Sequence, residues 1–542
     1  MPTTLHCKLV DLELRTIQKV RIELQDDKLI AIHPSDENSE DLPFLLPGFI
    51  DAHIHIESSM LCPAAFAHEA VRHGTIGTVS DPHEIANVLG IEGVNFMLEN
   101  AASVPFYFHF GAPSCVPATA FETAGAKLDA DAVAQILQNP AIGYLSEMMN
   151  YPGVLGHDAE VMAKIAAAKA AGKPIDGHAP GLKGEEAKRY FEAGISTDHE
   201  CFTLEEAVEK ANLGVKILIR EGSAARNFEA LHPLLRSHPK QVMFCSDDKH
   251  PDELLKGHIN KLVARAVAIG YDLFDVLYAA CICPNEHYQM QSGRLRIGDS
   301  ADFILVNNLR DFDVQATYIK GKAVFEHGKT SFNIPEVQPK NKFISYPVTP
   351  DLLKLEITTG KLRVIEALDG QLITNTLWLD TTTLEKNDNW VQQDILKLVV
   401  VNRYKHAPPA VAFIRGFGLK NAAIGGTVAH DSHNIVAVGT NDVLLCNAIN
   451  ALMEAQGGLV FTDNSQARVL PLPVAGLMST LSCTETAGLY SQLDLLCKSA
   501  GSSLRSPYMT LSFMSLLVIP ELKLSDLGLF DGSRFTFVNY FE

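Results

Sequence analysis

The chain has 542 residues, 47% apolar and 20% charged, which is enough for two or three globular domains with ample core. Lys and Arg number 45 against 64 Asp and Glu, giving a formal net charge of −19. That balance repels phosphate backbones and argues against a nucleic-acid polymer as partner, while leaving an uncharged nucleobase open.

Residues 1–45 show short β-like alternation: Val20–Leu24, a turn at Asp26-Asp27, then Leu29–Ile32, a hairpin signature. The run Leu46-Pro47-Gly48-Phe49-Ile50-Asp51-Ala52-His53-Ile54-His55 reads as a buried strand ending in histidines two apart. From there to about Pro284, apolar runs alternate with helical stretches. The strand candidates are Thr75–Ser80, Phe106–Gly111, Ala141–Ser146, Pro174–Gly177, Gly194–Thr197, Val215–Ile219 and Gln241–Cys245. Helices are expected at Asp158–Ala171, Gly184–Ala193 and Leu204–Asn212. This alternation predicts an α/β fold, a (β/α)8 TIM-like barrel. An open doubly wound sheet is the alternative, but no G-x-G-x-x-G opens a helix here.

After Pro284 strands return at Gly293–Val306 and Thr317–Lys322, in the style of the N-terminal segment. Residues 1–46 plus 287–340 are therefore expected to form a small flanking β-sandwich domain beside a barrel over 47–286. Pro335–Pro350 reads as a linker. Residues 348–542 mix strands (Leu396–Asn402, Val411–Ile414, Ile435–Val438) with a helix at Asp442–Ala455, an α+β domain. The ten cysteines include no C-x-x-C, and Cys281 and Cys283 are too close for a zinc knuckle. The apolar runs, such as Leu516–Ile519, are too short to span a bilayer, and Met1–His6 lacks a signal pattern. A reduced, cytoplasmic protein with no membrane contact is expected.

Alternation puts His53 and His55 on one face of their strand, as a metal pair or as two satisfied imidazoles. Further groups fall just after other strand candidates: Glu147, His178, His199 and Asp247, with Asp248 beside it, while Glu57 lies two residues beyond His55. In a barrel, strand ends face one mouth, so these groups converge. Four histidines and two carboxylates suit two divalent ions, one carboxylate bridging, because close cations repel without an anion between them. Some motifs fail. His55-Ile56-Glu57 matches the H-x-E of zinc base deaminases, but their P-C-x-x-C is missing. His68-Glu69-Ala70-Val71-Arg72-His73 places its second histidine one residue late for H-E-x-x-H. Gly416 and Gly418 do not complete a dinucleotide loop.

Leu46–His55, the strand-end set and Gly293–Val306 together resemble the amidohydrolase superfamily. Within it, the chain resembles the bacterial adenine deaminase family. The segments that carry this are His53–Met60, Asp81-Pro82-His83-Glu84-Ile85-Ala86-Asn87, Ser146–Val154, Asp176–Pro180, Asp198-His199-Glu200, Phe244–Pro251 and Gly426–Asn434. Many superfamily members bridge their metals with a carbamylated lysine. Glu147 at the fourth strand fits the adenine deaminase pattern and counts against a hydantoinase or dihydroorotase.

The resemblance implies hydrolysis of adenine to hypoxanthine and ammonia by a metal-activated hydroxide, in purine salvage. It implies that His53, His55, Glu147, His178, His199 and Asp247 hold the metals, with Glu147 as the bridge. Asp247 is expected to relay the proton, and Glu57 and Glu200 to contact or protonate the ring. Asp247 is preferred over Asp248 because adjacent strand residues face opposite ways. Asp248 could orient a ligand histidine. His83 suits an additional metal, the substrate or a structural cap. His430 and His433 suit either a lid over the barrel mouth or a self-bonded polar turn. The resemblance points to Mn²⁺ or Fe²⁺, with Zn²⁺ also compatible with these ligand types. A homo-oligomer is the default expectation. The competing readings are an amidohydrolase acting on another aminopurine or cyclic amidine, and a non-catalytic barrel serving as a binding module.

Overall fold

The computed structural model describes residues 3–37, 41–223, 225–384 and 390–542. Eight parallel strands build the barrel. Phe49–Ile54, Thr75–Ser80, Tyr107–Ala112, Ile142–Met148 and Ile175–Gly177 pair in sequence order. Thr197–Asp198, Lys216–Arg220 and Val242–Cys245 continue the order. The amide of Ser196 donates to the Ile175 carbonyl at 2.9 Å across the join. Closure is made by Asp247, whose N–H donates to the His53 carbonyl at 2.9 Å while its own carbonyl accepts from His55 N–H at 3.3 Å. The seam of the barrel is thus the place where candidate ligands from the first and last strands meet.

Period-two alternation sorts the strand side chains. Ile217, Ile219 and Phe244 pack in the main core against the surrounding helices. Their neighbours Leu218, Met243 and Cys245 join a separate cluster with Ile50, Ala52, Val79 and Tyr144. Tyr288 and Met290, from the segment that leaves the barrel, pack into that same cluster.

The strands expected to form a flanking sandwich join one continuously paired sheet of eight. Its order runs from Lys329–Thr330 through Lys322–Glu326, Val314–Ile319, Phe303–Val306, Phe44–Pro47, Thr3–Asp11 and Thr16–Gln25 to Lys28–Pro34. Phe44–Pro47 runs directly into the first barrel strand, so this sheet fixes where that strand starts.

The C-terminal part is a second eight-stranded sheet, with Leu396–Val401 and Ile435–Gly439 in its middle. Helix Asp442–Ala455 covers one face, packing Leu445, Ile449 and Leu452 against Val399, Ala423 and Ala437. Its ends follow from local chemistry. The Asn441 side chain accepts from Leu444 N–H, and Gln456 leaves the helix in the left-handed region at φ 55. The opposite face meets the barrel mouth, bringing residues of the 513–519 segment over it.

Candidate metal centre and active site

The cavity at the barrel mouth is closed by both parts of the chain. The barrel supplies His55, His83, Glu84, Glu147, His178, His199, Glu200, Arg220, Asp247 and Asp248. The C-terminal part supplies His430, Asp431 and an apolar side formed by Leu372, Phe513, Leu516, Val518 and Ile519.

Glu147 is central. One of its oxygens, Oε2, lies 2.7 Å from His178 Nδ1 and 3.2 Å from His199 Nε2. The other, Oε1, lies 3.5 Å from His55 Nε2 and 3.5 Å from His83 Nδ1. Each carboxylate oxygen therefore faces a different imidazole set. Burial pushes the Glu147 carboxyl up, but His178 and His199 hold it well below the usual carboxylate range. Glu147 sits inside the strand Ile142–Met148 rather than after it, because that strand runs two residues past the expected Ser146.

His53 and His55 lie side by side with ring centroids 4.9 Å apart. Asp247 Oδ1 lies 3.6 Å from His53 Nε2 and 3.3 Å from His55 Nε2. His53 also stacks on His199 at 4.0 Å. It is 0% exposed, and neither ring nitrogen has a hydrogen-bond partner among the described residues. A buried imidazole with no hydrogen bond, and Asp247 only at 3.6 Å, is costly in a purely structural role and fits a ligand position. Several groupings among the described residues have donor atoms close enough to share an ion, among them His53, His55 and Asp247; His53, Glu147 and His199; His178, His199 and Glu200; and, including His83, the groups His55, Asp81, His83 and Glu147 and His83, Glu84 and Asp431. The donor set is imidazole and carboxylate without thiolate, as divalent Mn, Fe or Zn accept.

Asp247 and Asp248 both line the cavity. Strand alternation does not separate them as expected, because the strand ends at Cys245 and Asp247 is in the left-handed region at φ 55. Asp247 Oδ2 accepts from Arg220 Nη1 at 2.6 Å. Burial raises the Asp247 carboxyl, and Arg220, then His53 and His55, pull it well below the usual range. Asp248 accepts from Ser58 Oγ at 2.5 Å, and burial together with the charge of Asp247 raises its carboxyl. Glu200 also lines the cavity, with its oxygens gripped by the guanidinium of Arg220.

Glu57 is placed differently. It is buried outside the cavity lining, and one oxygen accepts from Ile85 N–H at 3.2 Å at the start of the helix His83–Leu89. Burial pushes its carboxyl up to about 7. His83 leans on Asp81 at 3.1 Å and on Glu147. His430 Nδ1 approaches Glu84 Oε1 at 2.5 Å, and His433 engages the other oxygen of Glu84. The expected lid segment therefore reaches across to the barrel instead of bonding only to itself. His430 edges the cavity and stacks on Phe513 at 4.6 Å, whereas His433 holds Glu84 without lining the cavity.

A model of the amidohydrolase family matches residues 44–324, and one of the adenine deaminase C-terminal domain matches residues 371–536. An adenine deaminase of Salinibacter ruber is 52% identical over 540 residues, covering 98% of each chain. The chain belongs to the adenine deaminase family. Adenine deaminases of Sulfurovum sp. and Methanosarcina barkeri are 51% and 49% identical, each again covering 98% of both chains. Among solved structures, a beta-aspartyl dipeptidase from Fervidobacterium islandicum aligns with TM-score 0.47 and 15% identity over 62% of this chain and 100% of that one. The amidohydrolase family is metal-dependent, and buried His, Asp and Glu groups able to hold a metal are present here.

Within this adenine deaminase fold, sequence reasoning passed over Glu84, Arg220 and Asp431. Arg220 is a charged residue ending the apolar strand Lys216–Arg220, a signal of the same kind that marked Glu147. Glu84 stood within the quoted Asp81–Asn87 segment, but its partners His430 and His433 are more than 340 residues away. Asp431 lies in the lid segment, between the two histidines.

Fully buried Lys523 anchors the apolar side of the cavity, donating to the carbonyls of Leu372 at 2.6 Å and Phe513 at 3.0 Å. Burial pushes its ammonium from the ordinary 10.5 down to about 7. Between those two values the unfolded chain holds a proton that the folded chain has lost, so stability rises with pH in that window. The expected gain from pH 7 to pH 9 is about 2 kcal/mol. Denaturant titrations at the two pH values should show this rise in the parent and lose it in Lys523→Met.

Proposed function

We propose that His53, His55, Glu147, His178, His199 and Asp247 hold two divalent ions, Mn²⁺ or Fe²⁺ in the first instance, with Glu147 between them. The observation that carries this reading is the opposed placement of the Glu147 oxygens, one toward His178 and His199 and the other toward His55. The reaction is the hydrolytic deamination of adenine to hypoxanthine and ammonia. When bound, the metal centre lowers the pKa of water and so makes a hydroxide available near neutral pH.

The side chains supply the rest. Asp247 is placed to take a proton from the attacking water and deliver it to the departing amino group. Arg220 keeps Asp247 ionised and aimed, and fixes Glu200 beside it. For electrons to move off C6, the ring must gain a hydrogen bond or proton at N1. Asp248, raised by burial and by Asp247, is the cavity carboxyl best suited to donate it. Glu200 is the second ring contact. Glu57 acts from behind, holding the helix that carries His83 and Glu84. The apolar wall from Phe513 to Ile519 suits one face of a planar base, and His430 closes the remaining edge. His433 positions Glu84.

The test is a substrate panel on metal-loaded protein: adenine, guanine, adenosine and hydantoin, with ammonia and product identity read for each. Hypoxanthine and ammonia in equal amounts from adenine, with much slower turnover of the others, is the expected result. No turnover of adenine, with turnover of another aminopurine or cyclic amidine, would remove the substrate assignment while leaving the metal centre. His433→Ala should lower kcat/KM about tenfold, as loss of an orienting partner does. Unchanged turnover in that variant would exclude a role for the lid contact.

A further inference from the structure

A second cavity, about 230 Å³, lies outside the barrel mouth beside the helix Ile259–Ile269. Five cations line it, Arg226, Lys249, Lys256, Lys261 and Arg265, against the carboxylates Glu221 and Glu253, in a chain of net charge −19. Both carboxylates are engaged: Glu253 pairs with Arg226 at 2.7 Å and Glu221 with Arg265 at 3.0 Å. Lys256 pairs with Asp252 at 3.3 Å.

Lys249 and Lys261 remain. Among the described residues neither ammonium has a hydrogen bond or an ion pair, and Lys249 is only 7% exposed. Glu253, Asp51 and Glu221 act on the Lys249 ammonium from beyond ion-pair distance, and the cavity it lines is the route by which a closer anion can reach it. Arg226 commits its Nε to the Gly222 carbonyl and its Nη2 to Glu253, leaving Nη1 available. Two ammonium groups without an ion pair and a guanidinium N–H, all lining one cavity, match an oxyanion of charge near −2. The space exceeds what a lone phosphoryl group fills, so a small ester also fits.

We propose that this cavity binds a phosphate dianion, free or as the phosphoryl group of a small phosphomonoester, through Lys249, Lys261 and Arg226. It is separate from the metal centre. His258, which lines it, lies 2.8 Å from Asp51 Oδ2, and Asp51 Oδ1 accepts from Ser246 N–H at 3.0 Å, next to Asp247. That buried relay stands between the anion site and the ligands.

The test is calorimetric titration of the metal-loaded protein with inorganic phosphate and, in parallel, with ribose 5-phosphate. Saturable binding at one site per chain is expected, weakened at least about tenfold in both Lys261→Glu and Lys249→Met, with adenine turnover unchanged in Lys261→Glu. Lys261 is exposed, so its variant reads the site even if Lys249→Met fails to fold. Tighter binding of the ester would identify a phosphomonoester as the ligand, and equal or weaker binding would identify free phosphate. Either assigns the source within a supported site. Absence of saturable binding overturns the proposal. So does equal affinity in the parent and Lys261→Glu, which would put the phosphate on the metals.

Discussion

Replacing Glu147 by Gln is expected to lower kcat/KM for adenine at least about a thousand-fold and to reduce the metal bound per chain. The substitution keeps size and shape but removes the charge. In the folded chain the carboxylate has one oxygen at 2.7 Å from His178 and the other at 3.5 Å from His55. A neutral amide can offer only one oxygen, so it can face one imidazole set but not both. Two cations about 3.5–4 Å apart then lack the anion that offsets their repulsion. Metal analysis, turnover and a melting curve on the same preparation separate the outcomes. Loss of metal and activity with a cooperative unfolding transition retained supports the bridging role. Full metal content with normal turnover contradicts it.

Asp247→Asn is expected to lower kcat about a thousand-fold, within the range of a lost general acid and base. Asp247 is both a candidate ligand and the proton relay, so kcat should fall more steeply than metal content. Its environment sets a further expectation. Burial alone would raise this carboxyl, and Arg220, helped by His53 and His55, more than reverses that. In the parent the group therefore stays ionised down to acid pH, and the acid limb of the rate profile lies low. Arg220→Met removes the nearest positive charge and should move that limb to higher pH, because the relay then gains its proton sooner as pH falls. A profile that does not move would show that Arg220 does not control Asp247.

The barrel was legible because its strands are apolar runs ending in His or acidic residues, a local pattern. His178 and His199 follow Ile175–Gly177 and Thr197–Asp198, as the spacing predicts. Two features were not legible. The backbone turn at Asp247, φ 55, lets adjacent aspartates share one cavity and leaves no mark in residue type. The grip of His430 and His433 on Glu84 joins segments distant in sequence, and only the packing of the C-terminal sheet over the mouth brings them together. Glu57 shows the opposite case. Its place two residues beyond His55 suggested a cavity residue, but the chain turns into a short 3-10 segment, Ile56–Ser59, that carries it behind the site.

The most direct measurement is a titration of metal-free protein with Mn²⁺ while following ammonia and hypoxanthine release from adenine. Equimolar products are expected, with activity that climbs until two equivalents of metal are bound and then levels off. A plateau at one equivalent would contradict the carboxylate-bridged pair. No deamination of adenine at any metal loading would contradict the function built upon it.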